Sequence, residues 1–320
     1  MPDAIIAVDL GGTQIRAALC QPDGQILRRI ARPTLASEGL DPILERIATA
    51  IAEAAEGIPA EGISAIGVGA PGPTNPTTGI LLEAPNLPGW REVPLRTFIS
   101  ERFGRPTFLG NDANLAGLAE ATFGAARGVR DVIYLTISTG IGSGIIVDGR
   151  LLLGANGLAA EAGHTILKPG GARCGCGRRG CLETLAAGPA IARDVVVRIK
   201  AGKKSRIAKM VGGDLAQVDA RVVSEAAQAG DKLAINAFRR AGHHLGLGIV
   251  NLLHLFNPRM VVLGGSVTKA GPLLFDPMWE TMRDAAIPHY LNGFAIVPAA
   301  LGDDVGLLGA VALAVAELKR

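Results

Sequence analysis

Short apolar runs that stop at glycine alternate along this chain with stretches of helical period. Residues 4–8 form a continuous apolar run that halts at Asp9-Leu10-Gly11-Gly12-Thr13. Runs over 15–20 and 25–33 flank a Pro22-Asp23-Gly24 turn, which predicts three strands with a hairpin between the last two. Asp41-Pro42 then offers an N-cap and a proline at the first helical position. Behind it Ile43, Leu44, Ile47, Ile51, Ala54 and Ala55 recur on one helical face. A fourth strand over 63–69 runs into Gly67-Val68-Gly69-Ala70-Pro71-Gly72-Pro73. In a βαβ opening the first glycine turn would lead straight into a helix, whereas here antiparallel strands intervene.

A second series begins where a strand over 106–109 ends at Asn111-Asp112 and a helix through Leu115 and Leu118 starts. A strand over 132–137 breaks at Ser138-Thr139-Gly140-Ile141-Gly142-Ser143-Gly144 and resumes over 145–147. Each half thus carries a strand, a glycine turn and a strand, the echo expected of a duplicated actin-like ATPase fold. Residues 200–220 are charged and glycine-containing and read as a surface excursion. A long helix over 234–251, a buried strand over 260–263 ending at Gly264-Gly265-Ser266, and a helix over 307–318 complete the chain.

Composition narrows the class. The chain has 320 residues, enough for two domains each with its own core. Hydrophobic residues make up 48%, yet no run of about 18 apolar residues occurs, because glycine, proline or charge interrupts every candidate. The N-terminus has neither a basic region nor a cleavage site, so a cytoplasmic enzyme without a membrane partner is expected. Lys and Arg number 32 against 29 acidic residues, too small an excess to imply nucleic acid. The 43 glycines cluster at strand ends, where close backbone approach suits a phosphate ligand.

Two nucleotide motifs are decoys. Gly67 to Gly72 matches G-x-G-x-x-G, but Pro71 and Pro73 prevent a helix from opening there. Gly202-Lys203-Lys204-Ser205 resembles the end of a P-loop, but Val197 stands where its first glycine would be. The turn at 9–13 carries more. Gly11 and Gly12 let backbone N–H groups face a phosphate, Thr13 adds a hydroxyl, and Asp9 can hold Mg²⁺ or its water. With the turn at 138–144, it forms a pair of loops able to grip the phosphates of ATP. Asp112 is either a helix N-cap or a carboxylate that takes the proton of an attacking hydroxyl, and the pair alone leaves both open.

The strongest local signal is Glu161-Ala162-Gly163-His164 followed by Cys174-Gly175-Cys176 and Cys181-Leu182-Glu183. Three thiolates and one imidazole, His164, make a closed tetrahedral zinc set of structural type. The C-x-C spacing and third cysteine argue against a redox pair. Cys20 stands alone on a strand as an apolar filler, and His243, His244, His254 and His289 read as structural.

These motifs, with Asn86-Leu87-Pro88-Gly89-Trp90, resemble the ROK family (repressors, open reading frames and kinases), and within it bacterial ATP-dependent glucokinases. The resemblance runs along nearly the whole chain. It implies an α/β, actin-like (ribonuclease H-like) ATPase fold of two domains with a cleft between them. Residues 1–112 would form a small domain with the first phosphate loop and sugar-side loops, and 303–320 would pack back on it. Residues 113–302 would form a larger domain with the second phosphate loop, zinc loop and adenosine side. The resemblance makes Asp112 the base toward a hexose 6-hydroxyl and gives sugar contacts to Asn86, Asn111, Asp112, Glu161, His164 and Glu183. Phosphate or ATP contacts fall on Asp9, Gly11, Gly12, Thr13, Thr139, Gly140, Gly142, Gly144, Gly264 and Gly265. Zinc ligands fall on His164, Cys174, Cys176 and Cys181, so His164 would serve metal and sugar. ATP, Mg²⁺ and structural Zn²⁺ are the implied cofactors, and a homodimer or higher homo-oligomer the implied assembly. Glucose is the expected substrate, with fructose, mannose or N-acetylmannosamine as rivals. A sugar-sensing repressor is disfavoured because the first strand begins at Ala4, leaving no room for a helix-turn-helix before it.

Overall fold

The computed structural model describes residues 3–84 and 86–319. The antiparallel strands β1 (Ala4–Leu10), β2 (Gln14–Cys20) and β3 (Ile26–Pro33) come first, followed by helix α1 (Leu40–Ala54). β4 (Ile63–Ala70) then returns parallel to β1. A small meander of β5 (Thr74–Asn75), β6 (Ile80–Glu83) and β7 (Arg91–Val93) precedes α2 (Leu95–Phe103), β8 (Thr107–Asn111) and α3 (Asp112–Thr122). β9 (Val132–Ile137), β10 (Ile141–Val147) and β11 (Arg150–Leu151) repeat the opening pattern. The helices α4 (Glu183–Ala186), α5 (Gly188–Lys200), α6 (Ile207–Met210), α7 (Ala220–Gln228) and α8 (Lys232–Phe256) follow. The last elements are β12 (Met260–Gly264), α9 (Pro272–Ala285), β13 (Ala295–Pro298) and α10 (Val305–Leu318).

The two large sheets have the orders β3-β2-β1-β4-β8 and β11-β10-β9-β12-β13. Counted within each sheet, both run third, second, first, fourth, fifth, and this shared order is the duplication that the glycine turns announced. Each turn joins the first and second strands of its sheet. The chain divides into two compact units, one of residues 1–134, 144–160 and 298–320, the other of 135–143 and 161–297. By this division α3 lies in the first unit, where the sequence reading began its second domain at 113. Among the described residues no helix is long and apolar enough to cross a membrane.

The continuous apolar runs have a simple cause. β1 is covered on both faces, so alternate residues enter different cores. Ile6, Val8 and Leu10 pack with Ile43, Ile47 and Ile51 of α1. Ile5 and Ala7 pack with Leu307, Val311 and Ala314 of α10. A Cβ on Gly67 would overlap the carbonyl oxygen of Ala310, so the first half of the decoy glycine motif is a seat for α10.

Three boundaries differ from the pattern-based reading. α1 begins at Leu40 behind Gly39, with no side-chain cap bond, so Asp41-Pro42 lies inside the first turn. Proline is tolerated there because first-turn N–H groups have no intrahelical acceptor. β10 begins at Ile141 rather than 145, which leaves a turn of only three residues, Ser138-Thr139-Gly140. The 200–220 segment is not merely an excursion: it forms α6, and Ile207 is fully buried.

Asp231 ties that segment down. Its carboxylate caps α8, accepting from the N–H groups of Leu233 and Ala234 at 2.9 and 3.0 Å, and also accepts from Ser205 Oγ and Arg206 N at 2.8 and 2.7 Å. Burial alone would raise its pKa, but these donors together hold it below the ordinary value. The folded pKa therefore lies under the unfolded value of about 3.9, and the resulting stability is present above that pH and lost as pH falls through the folded pKa. Asp231→Ala is expected to destabilise the protein by about 1–3 kcal/mol at neutral pH. In urea melts the difference from wild type should narrow below about pH 4; a difference independent of pH would show that the charge is not what matters.

Candidate functional site

The first glycine turn is anchored by a buried hydroxyl. Thr34 Oγ1 donates to the Gly11 carbonyl at 2.6 Å, and Thr34 N donates to the Thr13 carbonyl at 2.8 Å. Both turn carbonyls are thus held back by β3's end, and Thr13 is exposed. A Cβ on Gly12 would lie 2.8 Å from that of Asn86, so the structure brings the sugar-side asparagine directly against this turn. Asp9 Oδ2 accepts from Arg16 Nε at 2.9 Å and pairs with the same guanidinium through a second nitrogen.

At the junction of β8 and α3 two candidate roles separate. Asn111, not Asp112, is the N-cap: its Oδ1 accepts from Ala113 N and Asn114 N at 3.0 and 3.1 Å, and its Nδ2 donates to the Gly72 carbonyl at 3.0 Å. Asp112 is the exposed first residue of the helix, with Oδ1 2.7 Å from Ala113 N. The positive end of α3 lies behind that carboxylate. Gly144 lies against this helix start, where an added Cβ would lie 2.9 Å from Asn114 O and 3.0 Å from Ala113 O. Its lack of a side chain is explained by packing. Gly142 lies within β10.

In the second unit the turn 138–140 borders a pocket of about 540 Å³. Ser138 and Thr139 line it together with Gly188 at the start of α5, and Ser266 beyond β12. Ser138 Oγ lies 3.0 Å from Ser266 Oγ, and Gly188 N donates to the Ser138 carbonyl at 2.8 Å. Gly265, at φ +90°, sits against the Ile137 carbonyl, and Gly264 is buried in β12. Phe238 and Val267 give the pocket apolar walls, while Asp219, Arg221 and Lys269 add charge. Sequence reasoning missed these residues. The segment 200–220, whose pattern reads as a surface excursion, contributes Val218, Asp219 and Ala220 to the pocket lining. Asp219 capping α7 through Val222 N at 2.8 Å was the available signal.

The metal-type loop closes on itself. One ligand atom each from His164, Cys174, Cys176 and Cys181 lie within 4.8 Å of one another. His164 Nδ1 is 3.6 Å from Cys174 Sγ, and the sulfurs of Cys176 and Cys181 are 3.7 Å apart. Burial pushes the Cys174 thiol up to about 12 and raises Cys181, whereas the N–H of Arg178 lowers Cys176. A bound cation would favour the thiolate form of all three. Glu183, on α4 just beyond Cys181, accepts from Ile141 N at 3.0 Å through Oε2, and its Oε1 lies 3.5 Å from Cys174 Sγ. Glu161 is exposed beside this loop. His243 and His254 have local partners, Thr281 Oγ1 at 3.0 Å and Ile287 N at 3.2 Å. Cys20 is buried, and burial raises its thiol to about 12.

The model of the ROK family matches residues 5–317. A glucokinase of Thermotoga maritima is 38% identical over 309 residues, which are 97% of this chain and 96% of that protein. A xylose repressor of Caldicellulosiruptor bescii is 30% identical over 317 residues, covering 98% of this chain and 79% of its own. Among solved structures, a ROK hexokinase from Thermus thermophilus superposes with a TM-score of 0.81 at 40% identity, covering 99% of both chains. A ROK family glucokinase from Streptomyces griseus, in complex with glucose and AMPPNP, has a TM-score of 0.79 at 35% identity, covering 96% of this chain and 98% of that one.

Proposed function

The chain belongs to the ROK family, and we propose that within it this protein is a hexose kinase that moves the γ-phosphoryl of ATP to the 6-hydroxyl of glucose. The observation that carries the reading is the 540 Å³ pocket lined by the 138–140 turn and the start of α5. Its volume suits a small-molecule ligand, its walls offer apolar surface for a base, and a helix N-terminus beside a tight turn favours phosphate. The relatives add the chemistry: a glucokinase of matching length, and a solved glucokinase holding glucose and AMPPNP.

Phosphoryl transfer asks the protein for positioning and charge neutralisation more than for covalent help. In the proposed mechanism Thr139, Gly140, Gly11, Gly12 and Thr13 are assigned to phosphate oxygens. Mg²⁺, when bound with ATP, offsets charge on the β- and γ-phosphates. Asp112 orients the sugar 6-hydroxyl and takes its proton late, when the new P–O bond makes that hydroxyl acidic. Asn111 keeps Asp112 in place through the helix cap. Asn86, Glu161 and the Nε2 of His164 are assigned to sugar hydroxyls.

The four donors fit zinc. With bonds of about 2.3 Å to sulfur and 2.0–2.1 Å to nitrogen, a tetrahedron requires S···S near 3.8 Å and S···N near 3.6 Å. Cys176 and Cys181 are 3.7 Å apart and Cys174 and His164 Nδ1 3.6 Å apart, with all four donor atoms within 4.8 Å of one another. Four protein donors leave no open position, so the ion would hold the loop rather than act on substrate.

Three outcomes are expected. In a coupled assay with Mg-ATP, glucose should show a higher kcat/KM than fructose, mannose or N-acetylmannosamine; a tenfold preference for another sugar would remove glucose and leave the kinase. Asp112→Asn should fold, since Asn111 supplies the cap, and should lower kcat by about 10²–10⁴-fold. Activity within a few-fold of wild type would make Asp112 a structural residue. Cys176→Ser should purify with much less than one zinc per chain and melt earlier, because binding energy in such a loop is folding energy. A wild-type protein without zinc by metal analysis would undo this reading of the loop.

A further inference from the structure

One residue of the backbone, Ile141, is gripped by both ends of the metal-type loop, through its N–H and through its carbonyl. On its amide side, the N–H donates to Glu183 Oε2 at 3.0 Å, two residues beyond the ligand Cys181. On its carbonyl side, Gly163, immediately before the ligand His164, packs so closely that any Cβ there would overlap the Ile141 oxygen. The neighbouring residue repeats the contact, since Ala162 N donates to the buried Ser143 Oγ at 3.1 Å. Gly140 completes the arrangement: a Cβ on it would collide with the same Glu183 oxygen that holds Ile141. Ile141 is the first residue of β10 and directly follows the turn Ser138-Thr139-Gly140.

We propose that Glu183 is a positioning residue for nucleotide binding: it transmits the geometry of the metal loop to the 138–140 turn by holding the Ile141 N–H. The inference rests on the reading of that turn as a phosphate site. It gives Glu183 a role separate from any contact with sugar. The physical logic is that a three-residue turn has few internal bonds, here Ser138 N to the Gly140 carbonyl at 2.9 Å. Its conformation must therefore be imposed by neighbours. A carboxylate accepting a backbone N–H makes one of the stronger uncharged-donor bonds, and its own position is set by α4, which starts two residues from Cys181. With the four ligands drawn together, Cys181 and His164 are fixed, and Glu183 and Gly163 close on Ile141 from opposite sides. Without that constraint the loop ends can separate and the turn loses its support.

The test is nucleotide affinity measured without sugar, which a sugar-contact role would not move. Mg-AMPPNP is titrated calorimetrically into zinc-loaded wild type, Glu183→Ala, Glu183→Asp and Glu183→Gln, with metal content and melting temperature recorded for each. Glu183→Ala should raise the AMPPNP Kd by about 5- to 30-fold while keeping its zinc. Glu183→Asp, one methylene too short to reach Ile141 N, should behave alike and serves in place of the alanine variant if that one does not fold. Glu183→Gln retains an acceptor oxygen and should stay within about twofold of wild type. Wild-type affinity in both the alanine and aspartate variants would overturn the proposal and leave the phosphate reading intact. Failure of the wild type itself to bind AMPPNP would overturn the phosphate reading, and this inference with it.

Discussion

α10 rests backbone to backbone on the first sheet and on α3, because Gly67 of β4 presents no side chain to Ala310 and Gly309 presents none to Leu115 of α3. That close seating organises the rest of the unit. It lets Leu307, Val311 and Ala314 enter the face of β1 opposite α1, which is how β1 comes to be continuously apolar from Ala4 to Val8. It also brings the segment before α10 beside the first turn, where Gly306 adjoins the Asp9 carboxylate and Arg16 spans Asp9 and the Asp303 carbonyl. Glu120, fully buried on α3, locks the same segment by accepting from Ala300 N and Leu301 N at 2.9 and 3.0 Å. A buried carboxylate is tolerable only with such donors, and Ala125 N supplies a third at 2.8 Å. The helix that carries Asp112 at its start is therefore fixed at its far end by the chain leading into α10.

In the proposed mechanism, holding and reacting fall to adjacent residues. Asn111 spends its amide on Ala113, Asn114 and Gly72, and Asp112 beside it presents an exposed carboxylate. Thr34 takes the carbonyls of Gly11 and Thr13, and the turn faces outward between them. Glu183 takes Ile141 N, and the turn 138–140 lies on the other side of that bond. This suits a reaction whose barrier is lowered by placement, because a misplacement of even an ångström at the reacting groups costs orders of magnitude in rate.

Much of this was legible in the residue pattern, and the exceptions have a common cause. The strands of the first unit, the two glycine turns and the His164, Cys174, Cys176 and Cys181 set were readable because each is a local spacing: period two or continuous burial for strands, a glycine cluster at a strand end, ligands within eighteen residues of one another. The capping residue at α3 was not readable, since asparagine and aspartate cap equally well and stand side by side. The neighbours of Gly144 and Asp9 were not readable either: Gly144 lies against the start of α3, and Asp9 pairs with Arg16, directly across the hairpin in register with it.

The sequence by itself determined the duplicated strand–turn–strand plan, the metal-type donor set and the presence of an Asn-Asp pair at a strand end. These depend on backbone conformations and ligand chemistry that a few neighbouring residues dictate. Tertiary structure alone decided which backbone groups those side chains serve, and it assembled the pocket from Ser138, Val218, Phe238 and Val267, residues far apart along the chain. The reason is that a hydrogen-bond partner or a pocket wall is chosen by how helices and sheets pack. Packing answers to the whole apolar pattern at once rather than to any segment of it.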